Sequence, residues 1–248
     1  MTVRPLAELR SADAARFGGK AASLGELLSA GFRVPPGFAL AAGAEPGELP
    51  LPDGPVAVRS SAIGEDSADA SFAGQHDTFL NVRGRDAVLD AIARCRASLA
   101  GSAAYRERMG GEAAMGVVVQ EMVDAEIAGV MFTCSPLTGD PSVVAIDAAP
   151  GLGERVVSGE VTPDHYVVSK VTGERLKGRG CLDDAKLAAL LDLGRRIERH
   201  FGAPQDIEFA FAGELYVLQS RPVTVRRAKP PASGTTMAHV LGTFGVRK

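Results

Sequence analysis

QDIEFAFAGELYVLQSRPVT, residues 205–224, reads as two strands, Ile207 to Phe211 and Leu215 to Gln219, folded back around Ala212-Gly213. A turn centred there sets Glu208 opposite Val217. The period of two then places Glu208, Val217, Gln219 and Arg221 on one face, while Ile207, Phe209 and Phe211 pack on the other. Carboxylate and amide oxygens are hard ligands that suit Mg²⁺, and a guanidinium grips phosphate through paired N–H donors. The trio therefore fits half of a Mg-nucleotide site; the same pattern also fits the solvated outer face of a hairpin.

Upstream, Leu187, Leu190, Leu191, Gly194, Ile197 and Phe201 fall on one stripe of a helix over 184–201, with Asp183 or Asp184 at its start and Gly202 at its end. Met115 to Val123, Ala128 to Thr133, Val143 to Asp147 and His165 to Ser169 are short β-rich runs between turn residues. An amphipathic helix follows Gly84, through Val88, Ile92 and Cys95 toward about Met109. Val56 to Arg59 is a strand. Residues 41–55 form a Pro- and Gly-rich linker, Val34 to Phe38 turn the chain, and a helix spans 21–30 up to Gly31. Mixed helices and short strands without regular βαβ alternation predict an α+β fold.

Composition narrows the function. The 248 residues are 46% hydrophobic and 23% charged, with a net charge of −3, which leaves nucleic acid an unlikely partner. Three cysteines in no metal spacing point to reduced cytoplasm, and no apolar run approaches the roughly 20 residues needed to cross a bilayer. His76, His165, His200 and His239 lack metal-site spacing, and no GxSxG elbow is present. Residues 225–248 carry five basic residues and no acid, the character of a tail or docking segment.

Two more places can carry phosphate chemistry. Lys20 follows Gly18-Gly19 at a helix N-terminus, where N–H groups and a full charge meet an anion, although no GKS or GKT marks a P-loop. Arg59 ends a strand before Ser60-Ser61, and the segment over 60–78 has the composition of a lid. A surface lysine after a turn and a strand-end ion pair are the plainer readings of each.

Taken together, GGKAASLGELLSAGFRVPPGF (18–38), VAVRSSAIGEDSADASFAGQHDTFLNV (56–82), VVVQEMVDAEIAGVMFTCSPLTGD (117–140), GLGERVVSGEVTPDHYVV (151–168) and the 205–224 hairpin resemble, in order, the ATP-binding domain of the phosphoenolpyruvate synthase, pyruvate phosphate dikinase and rifampin phosphotransferase family. The resemblance implies an ATP-grasp fold whose two lobes, 1–112 and 113–224, clamp ATP. It implies that Lys20 and Arg59 contact phosphates, that Gly74 and Thr78 belong to the lid, and that Gln120, Glu121 and Val123 line the adenine and hinge. It further implies that Glu208 and Gln219 hold Mg²⁺ and Arg221 grips phosphate, with Lys20, Arg59 and Arg221 serving catalysis.

Relatives of this kind carry a helical insertion where only 41–55 stands here, and continue into a swivelling domain with a phosphorylated histidine. The expectation is therefore an ATP-dependent phosphotransferase that passes a phosphoryl or pyrophosphoryl group to a histidine on a separate protein or to a small molecule. Rival readings are an ATP-grasp ligase working through an acyl-phosphate and a non-catalytic nucleotide-binding module.

Overall fold

In the computed structural model, which describes residues 2–64, 78–101, 115–151 and 162–223, the chain divides into two compact units after Val123. The sequence reading drew this boundary at 112/113. The strand that follows 113 pairs within the first sheet, which moves the division eleven residues on.

The first unit holds β1 (Val3–Pro5), α1 (Ala14–Phe17), α2 (Gly19–Ser29), β2 (Gly37–Leu40), β3 (Val56–Ala62), β4 (Thr78–Val82), α3 (Arg85–Gly101) and β5 (Met115–Glu121). Its antiparallel sheet has the order β1-β2-β5-β3-β4. Alternate residues of β3, Val56, Val58 and Ala62, join Val117 and Val119 of β5 and Phe38 of β2 against Val88, Ala91, Ile92 and Cys95 of α3. Ser61 and Gly116, which pair across β3 and β5, lie on the other face and meet Gly18 and Phe17, where α1 gives way to α2.

That second contact is close. Gly18 stands at φ +85, and a Cβ there would lie 2.0 Å from the Ser61 carbonyl oxygen; one on Gly116 would lie 2.2 Å from the Phe17 carbonyl oxygen. With no side chain of its own at the cap position, α2 is capped from β3: the Ala21 N–H donates to Ser61 Oγ at 3.1 Å.

The 41–55 stretch contains no regular element, but it is docked rather than loose. Leu49 enters the core, Arg96 of α3 donates to the Ala44 carbonyl at 2.7 Å, and Arg85 donates to that of Gly47 at 3.0 Å. Val34 to Phe38 was read as a turn; Gly37 and Phe38 instead open β2, because their backbone pairs with Gln120 and Val119. The continuation of α3 toward Met109 and the 225–248 tail lie outside the described residues.

The second unit holds β6 (Ile127–Phe132), β7 (Val143–Pro150), β8 (Asp164–Ser169), β9 (Arg175–Lys177), α4 (Asp184–Phe201), β10 (Gln205–Ala212) and β11 (Glu214–Pro222). The strands form an antiparallel sheet, β11-β10-β6-β7-β8-β9. Helix α4 starts at Asp183, whose carboxylate accepts the Lys186 N–H at 2.7 Å, and stops at left-handed Gly202. Its Leu187, Leu190, Leu191 and Ile197 are buried, and Gly194 lets it approach Met131 of β6. The architecture is α+β: two antiparallel sheets, each with helices packed on it.

Gly18→Ala is expected to lower the unfolding free energy by about 3 kcal/mol or more, from a disallowed φ plus a backbone clash. Gly43→Ala, also at positive φ but with no atom within 4 Å of the new Cβ, is expected to cost about 1 kcal/mol. Urea unfolding followed by circular dichroism separates the two, and equal losses would contradict the close approach.

Candidate functional site

The last hairpin pairs differently from its sequence reading. Gly213, at φ +67, makes the turn alone, with Ala212 opposite Glu214 and Phe209 opposite Val217. The ladder then slips by one residue at Leu218, so that Glu208 faces Gln219 rather than Val217. Residues paired across antiparallel strands share a face. Val217, only 1% exposed, therefore belongs with Phe209 in the core, while Glu208, Gln219, Asp206 and Arg221 share the opposite face. The bulge moves Val217 off the polar face without dispersing the Glu, Gln and Arg.

Next along that face, Asp206 faces Arg221, and the guanidinium donates through Nε at 2.8 Å and Nη2 at 2.6 Å to one carboxylate oxygen. Asp206 is 8% exposed. Burial pushes its carboxyl above the usual range, and the Arg221 charge pulls it back. Asp206 was not singled out from the sequence, although its place two residues before Glu208 puts it on the same face by strand periodicity. Its contact fixes the plane of Arg221 with two of the five guanidinium donors. The hairpin's open end is locked by a buried polar chain: the Gln205 N–H donates to Thr133 Oγ1 at 2.8 Å, and Ser220 Oγ donates to Gln205 Oε1 at 2.9 Å.

In the first unit, Lys20 is the second residue of α2 and is half-buried. Arg59 pairs with Thr78 on one side and Val118 on the other, so the expected phosphate ligand and lid residue are neighbours across β3 and β4. Arg59, Thr78, Ser61 and Gln120 share the sheet face on which α2 begins. Gln120 is 3% exposed, and its Nε2 donates to the Pro35 carbonyl at 3.1 Å. Its amide thus secures the approach to β2. Glu121 is exposed at the end of β5, with its N–H donated to Pro36, and Val123 is half-buried at the end of the unit. Gly74 lies outside the described residues.

The donor set around Glu208 matches a hard cation. One carboxylate and one amide oxygen face each other across the strands, as for Mg²⁺, which takes one or two protein oxygens and completes its shell with water and phosphate. Among the described residues no group of three or more His, Cys, Asp or Glu could hold a metal ion. Two cysteines are held toward the neutral thiol: burial pushes Cys134 up, and burial with the neighbouring Asp164 pushes Cys181 up to about 11. No helix among the described residues is long and apolar enough to cross a membrane.

Comparison with known proteins gives the family of this two-sheet α+β chain. Residues 47–180 and 171–239 match the pyruvate phosphate dikinase, AMP/ATP-binding domain model, and the chain belongs to that family. A probable phosphoenolpyruvate synthase of Methanothermobacter thermautotrophicus is 38% identical over 88% of this chain and 45% of its own length. That alignment runs to 309 residues, longer than this chain, so the relative carries residues absent here. The phosphoenolpyruvate synthase of Pyrococcus furiosus is 40% identical over 71% of this chain and 27% of its own. A rifampicin phosphotransferase of a Streptomyces species is 36% identical over 90% of this chain and 36% of its own. The chain thus spans less than half the length of each of these relatives. Among solved structures, the L-amino acid ligase of Bacillus licheniformis aligns with 84% of this chain and 43% of that chain at a TM-score of 0.46 and 14% identity.

Arg221→Ala leaves the Asp206 carboxylate buried without its cation and is expected to cost about 3 kcal/mol at neutral pH. A folded-state pKa above the unfolded one favours the folded chain at low pH, and that contribution is lost as pH rises. Removing the cation raises the folded value further, so the loss in Arg221→Ala should be smaller near pH 4 than near pH 7. The double variant Asp206→Asn/Arg221→Ala should recover most of it. Urea unfolding at both pH values checks this; a loss of the same size at each pH would contradict it.

Proposed function

We propose that the chain binds Mg-ATP and passes a phosphoryl or pyrophosphoryl group from it to an acceptor, either a histidine of a swivelling domain or a small molecule. The observation that carries this reading is the pairing of Glu208 with Gln219 beside the Asp206–Arg221 ion pair, all on the sheet face away from α4. Glu208 and Gln219 would hold Mg²⁺, which neutralises developing phosphate charge when bound. Arg221, oriented by Asp206, grips a phosphate. Lys20 and Arg59 bring two further charges to the phosphates, Thr78 borders them, and Gln120, Glu121 and Val123 border the adenine on an ATP-grasp plan. Phosphoryl transfer asks the protein chiefly for positioning and charge stabilisation, which suits a site of lysine, arginine and metal-binding oxygens without a nucleophile. Family membership and the phosphotransferases among the relatives support the reading.

Chromatography of nucleotides after incubation with Mg-ATP, alone and with cell extract, tests it. AMP with phosphate is the product of dikinase chemistry and ADP that of a simple kinase; no product under any condition would contradict turnover. Glu208→Ala should reduce turnover about 100-fold or more while its circular dichroism spectrum is unchanged.

A further inference from the structure

Three polar side chains are buried on the face of the second sheet that α4 covers: Thr133 at 0%, Gln205 at 1% and Ser220 at 2% exposure. Gln205 joins them. Its N–H donates to Thr133 Oγ1 and its carbonyl accepts the Thr133 N–H, both at 2.8 Å. Its Oε1 accepts from Ser220 Oγ at 2.9 Å, and its Nε2 donates to the Ala203 and Pro204 carbonyls at 3.1 and 3.3 Å. The end of β6, the connection from α4 and strand β11 are thereby tied at one residue.

Burial alone does not call for such a chain. Apolar side chains of similar shape would fill the same space at little loss of stability, whereas hydrogen bonds between fixed partners select one arrangement. The arrangement at stake is the slip at Leu218. A ladder continued without it would set Leu218 opposite Glu208, Gln219 opposite Ile207 and Ser220 opposite Asp206. The side-chain period is two, so this shift of one residue would turn Gln219 into the core and carry Ser220 to the polar face. Ser220 Oγ would then leave Gln205 Oε1, and that oxygen would stay buried without its donor. The slip and the Gln205–Ser220 hydrogen bond therefore stand or fall together, and Ser220 lies between Gln219 and Arg221 in the chain.

We infer that Gln205 and Ser220 are positioning residues for the candidate metal pair: from the opposite face of the sheet, their hydrogen bond holds β11 in the register that sets Gln219 against Glu208. The inference rests on the proposed Mg-ATP reading and deepens it, assigning the geometry of the metal-binding oxygens to side chains that touch neither metal nor nucleotide. The Asp206–Arg221 contact needs the same register and supports it from the polar face, so removing the buried hydrogen bond weakens the metal pair without abolishing it.

Calorimetric titration of the whole chain with ATP, in Mg²⁺ and in EDTA, reads the metal-dependent gain in affinity, and urea unfolding reads stability. Ser220→Ala is expected to lose stability and to cut the metal-dependent gain about threefold or more, with ATP binding in EDTA within about twofold of wild type. Gln205→Leu/Ser220→Ala is expected to be more stable than Ser220→Ala, since the orphaned amide oxygen is gone, and still to lack the gain. Lys170→Met breaks the Lys170–Glu198 ion pair elsewhere in the same unit. It is expected to lose stability while keeping the gain within about twofold of wild type. A purely structural role would make the gain follow stability, restored in the double variant and lost in Lys170→Met. Either of those results, or an unchanged gain in Ser220→Ala, overturns the inference alone. A wild type that binds no ATP, or binds it equally in Mg²⁺ and EDTA, overturns the underlying reading and the inference with it.

Discussion

The one-residue slip at Leu218 ties the core of the second unit to its polar face. Without it, strict alternation would keep Val217 and Gln219 on the same side of β11, and either an apolar residue would leave the core or an amide would enter it. With it, Val217 packs beside Phe209, and Gln219 stands opposite Glu208. A bulge of this kind re-aims side chains at the cost of one ladder pairing. The buried chain of Thr133, Gln205 and Ser220 holds the open end of the hairpin in register, one position from Asp206 and Arg221. Core packing and presentation of the candidate ligands thus depend on a single backbone irregularity.

A corresponding constraint in the first unit is the approach of α2 to the sheet. Gly18 and Gly116 leave no room for side chains, and Ser61 reaches from β3 to cap the helix. The same contact seats the first turn of α2, which contains Lys20, on the sheet face that carries Arg59 and Thr78. In both units, then, the residues proposed to meet phosphate are placed by features of the fold, the glycine contacts and the bulge, rather than by flexible loops. Asp147 and His165 share a row with Glu208 because the strands between them are in register.

Much of this was legible from the residues. Helix α4 was written in full by its stripe, Asp183 and Gly202, and the longer strands by their apolar runs. Strands β1 and β9, three residues each, carry no pattern of their own and exist because a neighbouring ladder captures them. The opening of β2 at Gly37 was hidden behind two prolines. Periodicity found the convergence of Glu208, Gln219 and Arg221 but misplaced Val217, because a bulge depends on how two strands pack and not on either alone. Asp206 was within reach of the same periodicity, and the Asp147–His165 pair was not, since its partners lie 18 residues apart and only the register brings them together.

The proposed function stands on Glu208 and Gln219 forming the metal-binding part of an ATP site. Calorimetric titration with ATP, in Mg²⁺ and in EDTA, of the wild type and Glu208→Gln measures it most directly. Mg²⁺ should tighten ATP binding to the wild type about tenfold or more, roughly the worth of 1.4 kcal/mol, and Glu208→Gln should lose most of that gain while still binding ATP. Equal metal dependence in the two proteins would contradict it.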